Sequence, residues 1–258
     1  MTTNFIPQTS WEFNTLGIYD FTQPGPYKFI FDFLYENQEN LTGDILEAGT
    51  YRGKTALSIG VFLAQNGLPG IIHGFDTFSG FPKYSKKDMP EKFEELLELN
   101  LISDEHFSRV KRLRSIKTDL LRQDFHPRST SSSGDFSNNS IEPLFAKIKF
   151  LGLNNIQLHV GTFESTMKHK DAGGLRFSLI FLDCDLYDGY METLNYGWEK
   201  LVVGGIIFLD EYYSLKFPGA RIAVNEFFAD KEDFELMDVA NKSTDDFERW
   251  IVRKLPGA

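Results

Sequence analysis

The chain alternates short continuous apolar runs with longer amphipathic ones. Residues 44–48, 71–76, 156–160, 178–182 and 205–209 are short and apolar, and three of them end in or run directly into an acid. Runs of this kind predict strands buried on both faces. Between them, residues 26–39 place Ile30, Phe33 and Leu34 on one helical face, and residues 55–63 continue the first strand into a helix. A further helix is expected over 191–202, its end marked by Gly204 and Gly205. Residues 1–13 are polar and read as an irregular arm. The segments 235–239 and 250–253 read as a final strand pair at a sheet edge. Strands alternating with helices imply a parallel sheet covered on both faces, with ligands bound at the carboxyl ends of the strands.

The stretch 44–56, DILEAGTYRGKTA, sets the chemistry. A strand that breaks through Gly49 and Gly53 into a helix presents backbone N–H groups and the positive helix end to a ligand. A dinucleotide site needs a second glycine two residues after the first, so that backbone can approach the pyrophosphate. This chain has Tyr51 there, which argues against a nicotinamide or flavin oxidoreductase. Glu47, Gly49 and Gly53 instead resemble motif I of S-adenosylmethionine (SAM) methyltransferases. Asp76 closes the next apolar run, where an acid accepts hydrogen bonds from ribose hydroxyls; the alternative is that it caps the following segment.

Acids recur at the next strand ends. FLDCD gives Asp183 and Asp185, and FLDE gives Asp210 and Glu211. Adjacent strands bring such ends together, so carboxylates from both can converge on one cation, and without one they repel and their pKa values rise. An oxygen-only ligand set suits Mg²⁺, Mn²⁺ or Ca²⁺ better than zinc or copper. The competing reading is a set of solvent-facing loop acids. Cys184 alternates with the two aspartates and is expected to point away from them into the core.

Composition narrows the class. The 258 residues are 41% hydrophobic, with 25 Phe and 10 Tyr, enough for one α/β domain with its own core. A net charge of −10 disfavours a nucleic-acid surface, and the basic segment 109–117, RVKRLRSIK, reads as a solvated helix face. A single cysteine, the lack of a leader pattern and the lack of a membrane-length apolar run lead us to expect a cytoplasmic protein. Residues 83–149 break the alternation. They contain a charged helical stretch at 91–99 and the run STSSSGDFSNNS at 129–140. That run is too polar to bury much apolar area and reads as a mobile loop, either a lid beside the crevice or a surface embellishment.

Four stretches carry a resemblance: DILEAGTYRGKTA, GFDTFSGFP, FLDCDLYDGYMETLNYGWEKLVVGGIIFLDEY and PGARIAVNEFF. In content and order they resemble the macrocin O-methyltransferase family. The resemblance implies an α/β, Rossmann-like SAM-dependent methyltransferase fold, with a seven-stranded mostly parallel sheet in the order 3-2-1-4-5-7-6 and helices on both faces. It further implies one domain over 1–258, with a helical arm at 1–40 and an insertion or lid at 83–149. The implied cofactors are SAM and Mg²⁺ or another divalent cation. Glu47, Gly49, Thr50, Tyr51 and Gly53 would serve the methionine end of SAM, Asp76 its ribose, and Thr162 and Phe163 its adenine. Asp183, Asp210 and Glu211 would hold the metal, with Asp183 also beside the cofactor and the leading candidate for catalytic base. The family usually has two aspartates where this chain has Asp210 and Glu211. Arg221 matches a basic position that either contacts substrate or packs. The implied activity is methylation of a small-molecule hydroxyl, such as that of a natural-product sugar, with no nucleic-acid or membrane partner and with homo-oligomerisation left open. A non-catalytic SAM-binding protein is the alternative, and it would have no need of converging acids.

Overall fold

The computed structural model describes residues 5–39, 42–167, 174–240 and 246–257. Seven strands form one sheet: β1 (Asp44–Ala48), β2 (Ile72–Asp76), β3 (Ile156–Val160), β4 (Phe177–Leu182), β5 (Leu201–Leu209), β6 (Phe234–Asp238) and β7 (Trp250–Lys254). Their spatial order is β3-β2-β1-β4-β5-β7-β6, as the resemblance implied. Strands β1 to β5 are parallel, and β7 is antiparallel to β5 and β6. The helices are α1 (Ser10–Leu16), α2 (Lys28–Glu36), α3 (Lys54–Asn66), α4 (Lys92–Glu98) and α5 (Asp104–Ser115). They continue with α6 (Pro127–Thr130), α7 (Glu142–Leu151), α8 (Phe163–Met167), α9 (Tyr187–Gly197) and α10 (Pro218–Phe228).

The sheet is sandwiched, which is why its central strands are apolar throughout. All six residues of β4 are buried. Its odd residues Leu179 and Phe181 face one core with Phe31, Leu57 and Phe208. The even residues Ile180 and Leu182 face the other, with Leu46, Tyr190 and Ala223. A third, smaller cluster of Phe93, Leu96, Ile102 and Val110 joins α4 to α5 and packs against Ile222 of α10. The direction of strand addition reverses between β1 and β4, and in such sheets a crevice opens at the carboxyl ends of the two strands at the switch point.

Two local expectations are corrected. Residues 10–16 form α1 rather than irregular chain, because Glu12 accepts the Thr9 N–H (2.9 Å) and hydroxyl (2.8 Å) and so closes the helix start. The helix expected over 191–202 ends at Gly197, and Leu201 already pairs with Phe177 in the sheet. Gly204 and Gly205 therefore lie inside β5, not at a helix end. Gly204 has φ +81, and a Cβ on Gly205 would lie 3.0 Å from the Ser178 carbonyl oxygen. The pair forms an irregularity at which the register with β4 shifts. The run 129–140 lies against the turn after β1. Asn139 Nδ2 donates to the Tyr51 carbonyl (3.1 Å), Arg52 donates to the Asn138 carbonyl (3.1 Å), and the Phe81 N–H donates to the Asp135 carbonyl (3.0 Å).

The basic segment 109–117 falls mostly on α5, where Arg109 pairs with Glu105 (2.7 Å) one turn away and Lys111, Arg112 and Arg114 are exposed. Among the described residues, no helix is long and apolar enough to cross a membrane.

Phe208 is fully buried, stacks on Phe181 at 5.3 Å and approaches the Tyr27 ring at 5.8 Å. Phe208→Ala should cost about 3–5 kcal/mol of stability through the cavity it leaves. The expected readout is a lower urea midpoint with an unchanged denaturant slope.

Candidate active site

The turn after β1 is built on a close approach. Gly49 has φ +94, and a Cβ there would lie 1.7 Å from the Asp183 carbonyl oxygen. Only glycine lets the end of β1 touch the end of β4. Tyr51 adopts φ 48, unusual for an aromatic residue, and its N–H donates to Asp76 Oδ2 at 2.8 Å. The Phe78 N–H donates to Asp76 Oδ1 at 2.6 Å. Asp76 thus caps the segment after β2 and also pins the glycine turn, with a further lone pair left on each oxygen.

A cavity of about 260 Å³ lies over this turn. Six of the nine residues expected to bind the cofactor line it: Gly49, Tyr51, Asp76, Thr162, Phe163 and Asp183. Three others do not lie on its wall. Glu47 is buried beneath the turn (1% exposed) with Oε2 unpartnered. Thr50 packs its hydroxyl on Gly74, and Gly53, with φ +73, caps α3 against Leu144. These three shape the turn. Cys184 is buried as expected but also borders the cavity. The strand ends at Leu182 and Asp185 turns to φ +61, so simple alternation no longer applies. Phe136, from the Ser-rich run, closes one side, its ring centroid 5.1 Å from those of both Tyr51 and Phe81.

Beside the cavity, Asp183, Asp210 and Glu211 each place a carboxylate oxygen within 4.8 Å of the others. Asp210 Oδ1 accepts the Tyr27 hydroxyl (2.8 Å) and Arg249 Nε (2.9 Å), while Oδ2 has only a long contact from Arg249 Nη2 (3.4 Å). Glu211 Oε2 accepts the Tyr190 hydroxyl at 2.6 Å, so the extra methylene of Glu over Asp reaches a buried donor. Burial, with Asp210 adding its charge, pushes Asp183 and Glu211 well above the usual carboxylate range. Burial likewise lifts neighbouring Asp185 to about 7, against the pull of Lys216. A set of crowded oxygen donors short of positive charge, with Asp210 Oδ2 largely free, fits a hard divalent cation.

Tyr27, Tyr190 and Arg249 carry no motif and were missed from sequence. Tyr27 and Arg249 lie far along the chain from the acids, and Tyr190 is spaced like any core residue of α9. Arg221 is 8% exposed and packs its guanidinium 4.0 Å from the Tyr213 ring and 4.5 Å from that of Tyr212, with Nη2 donating to the Tyr213 hydroxyl. Its Nε and Nη1 are buried without a hydrogen-bond partner among the described residues.

Burial lifts Glu47 from 4.5 to about 8. Between those values the folded chain keeps a proton that the unfolded chain has lost, so this group lowers stability as pH rises from 4.5 to about 8. Glu47→Gln should flatten the curve of unfolding free energy against pH and leave the variant more stable than wild type at the alkaline end. Urea titrations across that window check this.

A family model described as a methyltransferase domain matches residues 46–212. No curated protein matches the chain in sequence. Among solved structures, the O-methyltransferase NovP is similar with TM-score 0.60 and 16% identity, over 95% of this chain and 80% of that one. CalS11, a calicheamicin methyltransferase, gives 0.56 and 18%, over 96% and 95%. TomG, the O-methyltransferase from Streptomyces achromogenes involved in tomaymycin synthesis, solved in complex with SAM, gives 0.54 and 12%, over 98% and 92%. At these identities the likeness is one of fold. The family match runs from β1 through the glycine turn, the cavity wall and all three clustered acids, and by it the chain belongs to the methyltransferase domain family.

Proposed function

We propose that this protein is a SAM-dependent O-methyltransferase that uses a divalent cation, Mg²⁺ or a close relative, to methylate a small-molecule hydroxyl. The observation that carries the reading is the double position of Asp183, which lines the cofactor cavity and belongs to the three-acid cluster. A hydroxyl held at the acids would then sit beside a methyl group carried in the cavity. The family match supports methyl transfer, the fold shared with O-methyltransferases supports oxygen as acceptor, and the SAM complex of TomG supports the cofactor. The macrocin-like motifs and the likeness to CalS11 favour a natural-product acceptor, a glycosylated one in particular. We read the chain as one cytoplasmic domain in which residues 83–149 act as a lid.

When bound, SAM supplies an electrophilic methyl group, and the cation lowers the pKa of a coordinated hydroxyl. The chain's own residues do the rest. The Gly49–Tyr51 turn, shaped from beneath by buried Glu47, holds the amino-acid end, Asp76 accepts from the ribose, and Thr162 and Phe163 flank the base. Phe136 and Phe81 keep water from one side of the cavity. Asp183 is positioned to take the acceptor's proton. Asp185 is the second candidate, because it lines the same cavity outside the ligand cluster and so keeps its oxygens for a proton. A non-catalytic SAM-binding protein would leave the cost of burying three adjacent carboxylates without a purpose.

Chelation should abolish turnover while sparing SAM affinity, and Asp183→Asn should remove both cation binding and turnover. If Asp185 is the base, Asp185→Asn keeps both ligands bound and loses turnover alone. Full activity in chelator, or in Asp183→Asn, refutes the cation reading. Glu211→Asp should weaken cation binding, because the shorter side chain draws away from Tyr190. Asp76→Asn should weaken SAM binding about 10- to 100-fold by calorimetry, since a charged acceptor becomes a neutral one. SAM affinity equal to wild type would remove Asp76 from the site.

A further inference from the structure

The family match ends at Tyr212 and begins at Leu46, yet two residues outside it meet on one clustered acid. Tyr27 comes from the segment between α1 and α2, and Arg249 from the residue before β7. Both bond the same atom, Asp210 Oδ1, at 2.8 and 2.9 Å.

Each is itself held before it reaches Asp210. Tyr27 is 6% exposed, and its ring lies 5.7 Å from Phe181, 5.8 Å from Phe208 and 4.4 Å from Tyr19. Two strand side chains thus fix the direction of its hydroxyl. The Arg249 guanidinium is anchored through Nη1 to Asp246 at 3.0 Å and lies 5.4 Å from the Tyr27 ring. Neither has the rotamer freedom of a surface residue, so the two donors define where Oδ1 sits. With both lone pairs of Oδ1 used, Oδ2, which carries a single longer contact from Arg249 Nη2 at 3.4 Å, keeps a lone pair for a further partner.

We infer that Tyr27 and Arg249 are positioning residues for the cation: they hold Asp210, tightly by Oδ1 and loosely by Oδ2, and so fix the one orientation in which the carboxylate faces the ion. The inference rests on the cation reading above. It deepens that reading by making the N-terminal arm and the edge hairpin parts of the site. Two opposing effects of Arg249 separate here. As a nearby positive charge it repels a cation, and as a fork on Asp210 it orders a ligand. The doubly bonded Oδ1 makes ordering the larger effect, because a carboxylate released from both donors can rotate or turn toward Asp183.

The test titrates Mn²⁺ into the full chain by calorimetry and follows the bound ion by electron paramagnetic resonance. Wild type, Tyr27→Phe, Arg249→Gln and Arg249→Lys are compared, with SAM affinity measured in parallel. Removing a partner that orients a metal ligand characteristically costs about 10–100-fold in affinity. Arg249→Gln should fall in that range, Tyr27→Phe should lose severalfold, and Arg249→Lys, which keeps charge without the fork, should recover only part. The resonance of the bound ion should broaden in both ordering variants while SAM affinity holds. Unchanged or tighter Mn²⁺ binding in Arg249→Gln would show that charge repulsion is its main effect and overturn the inference. Tyr27→Phe removes one oxygen atom and decides the matter alone if Arg249→Gln fails to fold: wild-type affinity in Tyr27→Phe overturns the inference. Absence of Mn²⁺ binding by wild type defeats the cation reading itself and this inference with it, whereas normal wild-type binding with unaffected variants defeats the positioning role only.

Discussion

The structure turns on the contact between the Gly49 backbone and the Asp183 carbonyl. Two parallel strands can bring their carboxyl ends this close only where one of them lacks a side chain, since any Cβ at Gly49 would occupy the carbonyl oxygen's space. The contact seats the turn after β1 directly against the acid that ends β4. Cavity and acid cluster thereby share a wall at Asp183.

The second constraint is electrostatic. Burying Asp183, Asp210 and Glu211 together is unfavourable unless each finds donors or a counter-charge. Tyr190 serves Glu211, while Tyr27 and Arg249 serve Asp210. Asp183, half-buried on the cavity wall beside them, is pushed up in pKa by burial first and then by the charge of Asp210. The same imbalance that raises these pKa values is what the proposed cation would offset, so the local instability and the proposed chemistry have one origin.

The insertion shows how a polar run finds a place without a core of its own. Residues 129–140 contribute one ring, Phe136, and a series of backbone and amide contacts to the turn around Tyr51 and Phe81. The helices before it, α4 and α5, make a separate small apolar cluster that leans on α10. Few large contacts hold this region compared with the sheet, which is the composition expected of an element that responds to what lies in the cavity.

The sheet itself was legible in the sequence because burial on both faces forces continuous apolar runs, and those runs end where the chain meets solvent or ligand. For the same reason Asp76, Asp183, Asp210 and Glu211 stood out as acids at strand ends, and Gly49 as the break from strand to helix. Other features were hidden. The Gly204–Gly205 pair looks like a helix terminator in one dimension, and only its packing on Ser178 of β4 marks it as an irregularity inside a strand. Cys184 is in the core as alternation predicts, and only the tertiary structure shows that it also borders the cavity. Tyr27 and Arg249 lie 183 and 39 residues from Asp210 along the chain, with no local pattern to connect them. Sequence determined which elements form and which acids they deliver, because those depend on short-range periodicity and burial. Which distant side chains bond those acids depends on how the arm and the edge hairpin fold back over the sheet, and the tertiary structure alone decided that.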